Sequence, residues 1–270
     1  GNLPKLNKDE KAKAAAAAEE AKFKPKDMTE QQKGMISAFN KYICYIHPAA
    51  SDQQGQEQLV EVKFARARTY FEAQHWEESA AAFLDVATNN SDRDAGIYAA
   101  QLYLESVNVL ASHDSAVTSQ PPNKRLGCYD DMATNVPKFI GLYCSADKIK
   151  KNEEQCGILN RIQVDILRLK AEATVKKADS ENGSTESLRA YENAGTQYLD
   201  LYRKYCETPI RNGQQPQAEK CDELVYNAAK AFQAGRLLAK AIAARMILLN
   251  PMNHMDKSPL AKKSVYEIGG

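Results

Sequence analysis

The chain has 270 residues, 43% of them hydrophobic and 26% charged, with a net charge of +1. That allows one or two ordinary domains or one elongated repeat array, with enough apolar side chains for a core. The near-neutral balance excludes a global field that would gather nucleic acid or an anionic membrane, and no apolar run approaches the ~20 residues that span a bilayer. Alanine is plentiful, glycine (13) and proline (10) are modest, and no stretch alternates with period two for long. The expected class is therefore all-α.

Residues 1–27 contain KDEKAKAAAAAEEAKFK, rich in alanine and charge but without a broad apolar stripe. They read as a linker or spacer helix with little to bury. Residues 28–270 read as one helical domain. Asp27 or Thr29 caps a first helix whose stripe is Met35, Ile36, Phe39, Tyr42, Ile43 and Ile46, closed by His47-Pro48. After the polar run SDQQGQEQ comes a pair of helices, expected from about Glu57 to Ala73 and from Glu77 to Ala87, with Gln74-His75-Trp76 as the turn. A further helix is expected from Asp94 to Ala111. The stretch SHDSAVTSQPPNKRLGC, with Pro121-Pro122, reads as a surface insertion loop. Two short helices follow, over Tyr129–Asn135 and Lys138–Cys144, with Pro137 suited to a first turn. A long helix is expected over Glu153–Lys177. Ser184 or Thr185 caps the next, which carries Tyr191, Ala194, Tyr198, Tyr202 and Tyr205. Beyond a glutamine-rich loop, a helix over Asp222–Ala234 pairs with one over Leu237–Leu249, and SPLAKKSVYEIGG opens a last helix.

Two of these pairs share a pattern. Ala67, Tyr70, Ser79, Phe83 and Val86 sit at offsets 0, 3, 12, 16 and 19, and a displacement of 162 residues brings Ala229, Phe232, Ala241, Arg245 and Leu248 to the same offsets. Small residues let helices approach, and aromatic ones fill the groove between them. Self-similarity of this kind is the signature of a helical solenoid. The pattern resembles the tetratricopeptide repeat, a helix–turn–helix of about 34 residues. Ala67/Tyr70, Ser79/Phe83, Ala229/Phe232 and Ala241 fit, as does the second-helix pair Ala194/Tyr198; Arg245 departs, standing where an aromatic is expected. The resemblance implies an irregular α-α superhelix that binds protein or peptide partners. Val265, Ile268 and Gly269 look like the start of a further repeat, so the domain is expected to be truncated at its C-terminus.

The six cysteines are Cys44, Cys128, Cys144, Cys156, Cys206 and Cys221, none in a CxxC pair. An even count without metal spacing points to disulfides and an exported, oxidising location; the other reading is six reduced thiols packed as small apolar residues. Of about 15 full pairings, Cys144–Cys156 and Cys206–Cys221 rank first, because each pair flanks a polar loop between helix ends. Cys44 and Cys128 are left as a third candidate pair.

Little in the sequence suggests chemistry. His47, His75, His113 and His254 form no i, i+4 pair and no zinc-spaced cluster. His113 with Cys128 reads as a loop histidine and a structural thiol rather than a nucleophile pair. There is no phosphate loop, dinucleotide fingerprint or nucleophile elbow. The expectation is no catalysis, no cofactor and no metal. Lys148, Lys150 and Lys151 are followed at once by Glu153 and Glu154, a solvated face rather than a nucleic-acid stripe.

The whole reads as a non-catalytic interaction scaffold. Irregular repeats, insertion loops and paired cysteines are similar to bacterial envelope proteins, such as outer-membrane assembly lipoproteins and periplasmic gliding-motility components, which implies a periplasmic assembly. The alternative is a regulatory or substrate-recruiting domain of a larger enzyme or secretion protein. The residues expected to line a concave groove are Tyr70, Gln74, Tyr98, Asn108, Tyr226, Asn227 and Arg236. Part of the stripe Tyr191, Tyr198, Tyr202 and Tyr205 is expected there too, the rest being core.

Overall fold

The computed structural model describes residues 24–116, 122–181 and 183–269. The spacer expected over residues 1–27 lies almost wholly outside them, as do the side chains of residues 112–127, His113 among them. The described residues are helical, with no strand among them. Within the stretch read as one domain, contacts cluster into two compact units, one ending at Gln155 and one beginning at Cys156.

The first unit contains α1 (Glu30–Tyr45), α2 (Gln53–Glu72), α3 (Trp76–Asn89), α4 (Asp94–Ala116) and α5 (Pro122–Tyr143). Each packs on its neighbour in sequence. Thr29 caps α1 in a reciprocal box with Gln32, and Asp52 caps α2 by accepting from the Gly55 amide at 2.9 Å. Phe83 on α3 is fully buried, with Phe64 and Phe71 of α2 edge-on to it at 5.4 and 6.2 Å. On the other side of α3, the hydroxyls of Ser79 and Ser106 meet at 3.1 Å, so α3 and α4 approach through small residues. Gly96 opens a niche at the start of α4. A Cβ there would fall within 2.4 Å of the Tyr143 hydroxyl, which donates to the Ala87 carbonyl at 2.5 Å.

Two expectations for this unit change. The insertion loop is shorter than expected, because α4 runs on to Ala116 and α5 begins at Pro122. The two short helices are one, with Pro137 inside it. Pro137 withdraws one backbone donor, but Met132, Val136, Phe139 and Tyr143 are all buried. Their spacing forms a single apolar ridge across the proline, and its packing outweighs the lost hydrogen bond.

The second unit contains α6 (Glu153–Ser180), whose first turn holds the boundary, then α7 (Thr185–Tyr202), a π-helical turn (Arg203–Glu207), α8 (Thr208–Arg211), α9 (Cys221–Ala234), α10 (Leu238–Leu249) and α11 (Pro259–Gly269). Its core gathers Tyr198, Tyr202, Tyr205, Leu224, Phe232 and Leu248. Gly195 lets α7 and α9 touch, since a Cβ there would lie 2.7 Å from the Phe232 ring. The helix expected to stop near Tyr205 continues to Arg211. Within its π turn Tyr205 and Cys206 are buried, and Cys206 is bonded to Cys221 with a Cα–Cα separation of 5.9 Å. Cys144 and Cys156 are also disulfide-bonded. The third candidate pair does not form: Cys44 and Cys128 carry no disulfide.

The two patterned hairpins close in the same way. Gln74 and Arg236, themselves 162 positions apart, have φ of 60° and 61°. The next amides, His75 and Leu237, reach back to the Tyr70 and Phe232 carbonyls at 2.9 and 2.8 Å, while Gln74 and Arg236 bond Phe71 and Gln233 at 2.9 and 3.0 Å. This double closure is a Schellman cap. The following helices then start alike, with Ser79 bonding His75 and Ala241 bonding Leu237, both at 2.9 Å. Ala67, Ser79, Phe83 and Val86 are buried, as are Ala229, Phe232, Ala241, Arg245 and Leu248.

Candidate protein-binding grooves

Each unit carries a groove lined by residues from the sequence reading. In the first unit it measures about 530 Å³, and Met28, Ile36, Asn40, Tyr70, His75 and Glu78 line it. The segment before α1 is pinned across the α2–α3 turn. The Lys26 amide donates to the Ala73 carbonyl at 2.9 Å, and His75 Nε2 lies 3.1 Å from the Lys26 carbonyl. A carbonyl only accepts, so Nε2 carries the proton in this arrangement. Asn40 is held by Arg66, whose guanidinium donates to its side-chain oxygen at 3.0 Å. The stripe on α1 is only half covered: no residue of the helix is buried, and Met35, Tyr45 and Ile46 are exposed.

In the second unit a groove of about 450 Å³ runs between α6, α7 and α9, lined by Glu172, Asp179, Tyr191, Tyr198, Asn227 and Lys230. Tyr191 and Tyr198 are two turns apart on α7 and so share a face. Ala231 and Ala234 follow Asn227 at one-turn spacing on α9 and keep the floor low. The Tyr191 hydroxyl donates to Asp179 at 2.5 Å, and that bond raises its pKa. Burial, assisted by the nearby Glu172 charge, pushes Tyr198 up to about 12. Both phenols therefore stay protonated near neutral pH. Tyr191, half-buried, turns its ring to the groove, while Tyr198 is buried in the core beneath it.

The structure scatters the remaining groove candidates. Tyr98 is 48% exposed and Asn108 is exposed, both on α4; neither lines the two grooves. Gln74 and Arg236 are the left-handed residues of the two turns, and the side-chain oxygen of Gln74 is buried without a partner. Asn227 lines the second groove, but Tyr226, one residue earlier, points elsewhere, as neighbours on a helix must. Tyr226 is buried and its hydroxyl donates to Glu267 at 2.8 Å.

That bond belongs to a cluster that the sequence reading registered only as a mismatch. Arg245 is 2% exposed. Its Nε and Nη2 donate to Glu267 Oε2 at 3.1 and 2.9 Å, and Nη2 also donates to Gln233. Burial raises the Glu267 pKa, but the hydrogen bonds from Tyr226 and Arg245 outweigh it and hold the carboxyl below the usual glutamate range. The arginine thus replaces aromatic packing with a polar tie between α10 and α11. The sequence signal was present: a charged residue stood where its counterpart is Phe83.

Among the described residues, no group of three or more His, Cys, Asp or Glu side chains is gathered to hold a metal. No described helix is long and apolar enough to cross a membrane. The fold and grooves define a class no finer than an all-α protein with sequentially packed helices. Compared with protein-family models, curated proteins and solved structures, the chain has no match.

Proposed function

We propose that this chain is an irregular, tetratricopeptide-like helical repeat array that works as a non-catalytic protein-binding scaffold. The observation carrying this reading is the recurrence, 162 residues apart, of one hairpin with the same turn geometry and buried residues at the same offsets, Ala67 and Ala229, Ser79 and Ala241, Val86 and Leu248. Repeats of this kind offer preformed grooves, and a rigid groove avoids the ordering cost that a flexible surface incurs on binding.

The groove of the second unit is the proposed grip. Tyr191 supplies the aromatic contact face, Asn227 supplies an amide that can pair with a peptide backbone, and Lys230 opposite Glu172 and Asp179 sets charge preference. The Cys206–Cys221 bond and the oxidised Cys144 and Cys156 support an exported setting, and with it a role in a periplasmic or cell-envelope assembly.

The test is affinity capture from the native host with the wild-type chain and with a Tyr191→Ala/Asn227→Ala variant as paired baits. The proposal predicts a discrete protein held by the wild type and lost from the variant, whose helical circular dichroism should match the wild type. Equal recovery on both baits, or none on either, would defeat it.

A further inference from the structure

We infer that the second unit carries a binding pocket for a small anionic amphiphile, of the class of a medium-chain carboxylate, where α6 meets the end of α7. The inference goes beyond the scaffold reading and does not rest on it. The pocket measures about 340 Å³, within the range of small-molecule sites. It shares no lining residue with the groove of Tyr191 and Asn227. Leu167 of α6, Leu201 of α7 and Tyr205 of the π turn give it apolar walls. Leu201 and Tyr205 also belong to the core of the unit, which holds those walls in place.

Helix spacing accounts for most of the lining. Gln197, Leu201 and Lys204 follow at one-turn intervals and so share a face of α7 and its extension, as Leu167 and Lys170 share a face of α6. Tyr205 is the exception, because sequence neighbours on an α-helix do not face each other. The π turn brings it in. Hydrogen bonds there close from i to i+5, the Thr208 amide reaching the Arg203 carbonyl, and Lys204 Nζ stands 4.9 Å from the centre of the Tyr205 ring. The Cys206–Cys221 bond anchors the turn to α9, so the pocket is preformed. The local arrangement is otherwise unfavourable: the hydroxyls of Tyr202 and Tyr205 are buried without partners, and π geometry is itself rare. Departures of this kind gather at functional sites.

Charge selects the ligand. Lys170 and Lys204 line the pocket and are exposed. Asp200 is the one acid among the lining residues, and Arg203 donates to it at 3.2 Å, which offsets its charge. The walls are therefore apolar and the rim positive. An alkyl chain complements the walls, and a carboxylate forms charge-assisted hydrogen bonds with the rim. A neutral chain leaves the lysines unmatched, and an alkylammonium is repelled by them.

The experiment titrates the full chain with octanoate, octanol and octylamine by isothermal titration calorimetry. Octanoate should bind saturably at one site and weaken as salt is added. Octanol should bind about fivefold more weakly or worse, and octylamine should not bind. Butanoate should bind more weakly than octanoate, since it covers less of the apolar wall. Lys204→Gln, and independently Lys170→Gln, should lower octanoate affinity by about fivefold or more, and Lys204→Arg should keep most of it. Circular dichroism should match the wild type throughout, because both lysines are exposed. No saturable binding, equal affinity for octanoate and octanol, or affinity untouched by both glutamine substitutions would overturn the inference. So would binding to phosphatidylglycerol vesicles, abolished by Lys204→Gln, in a chain that does not bind octanoate; the lysines would then be a membrane contact. Partner capture through Tyr191 and Asn227 is independent of every one of these results, so the pocket and the scaffold reading fail separately.

Discussion

Replacing Arg245 with methionine removes the guanidinium while keeping an apolar stem of similar length, so the change reports the polar tie rather than a cavity. Arg245 is almost fully buried, and Glu267 accepts from it at two points. Removing one partner of a buried pair costs about 3–5 kcal/mol, because the other charge is left unpaired. The Glu267 side chain keeps 27% of its surface exposed, so water recovers part of that loss and the expectation falls to about 2–3 kcal/mol. Glu267→Gln in the same background removes the stranded charge and should restore roughly 1–2 kcal/mol, the coupling that a double-mutant cycle isolates. Urea unfolding followed by far-UV circular dichroism at neutral pH measures both. With a slope of about 1–3 kcal/mol per molar, the single variant should lower the midpoint by about 0.7–3 M. A midpoint within experimental error of the wild type would refute the reasoning, since desolvation would then cancel the attraction. Additive effects of the two substitutions would show that the pair is not energetically coupled.

Four further outcomes are expected. Because the Glu267 pKa is depressed in the folded chain, its stabilisation is full above the unfolded glutamate value of about 4.3 and is lost as pH falls through the lower folded value; Glu267→Gln should melt below the wild type by a constant margin between pH 5 and 7, and thermal melting should show that margin shrinking as pH falls below about 4. Gly195→Ala should destabilise the chain by about 1–2 kcal/mol, overpacking against the Phe232 ring outweighing alanine's helix preference, and Phe232→Leu should relieve part of that cost. Arg236→Gly should raise stability by about 0.5–1 kcal/mol, since an exposed side chain held at φ 61° gives way to the residue suited to that backbone; a loss of stability would contradict the strained-turn account. Titration of denatured, unreduced protein should find two of the six thiols, those of Cys44 and Cys128, whereas six would remove the ground for an exported setting.

The sequence announced the helices through local rules: the capping residues Thr29 and Ser184, and the turn at Gln74. These signals act over a few residues and need no tertiary information. It misjudged the places where distant packing decides. Pro137 looked like a helix start, and only the ridge of Met132, Val136, Phe139 and Tyr143 keeps α5 continuous through it. The repeat was legible because its small residues recur at fixed offsets, yet Arg245 looked like a flaw, its partner Glu267 being 22 residues away. Of the groove, Tyr70 and Asn227 were found by residue type. Glu172, Asp179 and Lys230 were not, because charged residues on solvated helices look alike until α6, α7 and α9 bring them together. The two disulfides followed from the polar loops that their cysteines flank, and the third candidate pair had no such local constraint.

The most direct test of the scaffold account is photo-crosslinking in the native host from a benzophenone amino acid placed at Asn227 in the groove, with a second probe at exposed Tyr98 on α4 as control. The account predicts one discrete protein adduct from the groove position, absent from the control and suppressed when Tyr191 is replaced by alanine. Adducts of equal pattern from both positions, or none from Asn227, would contradict it.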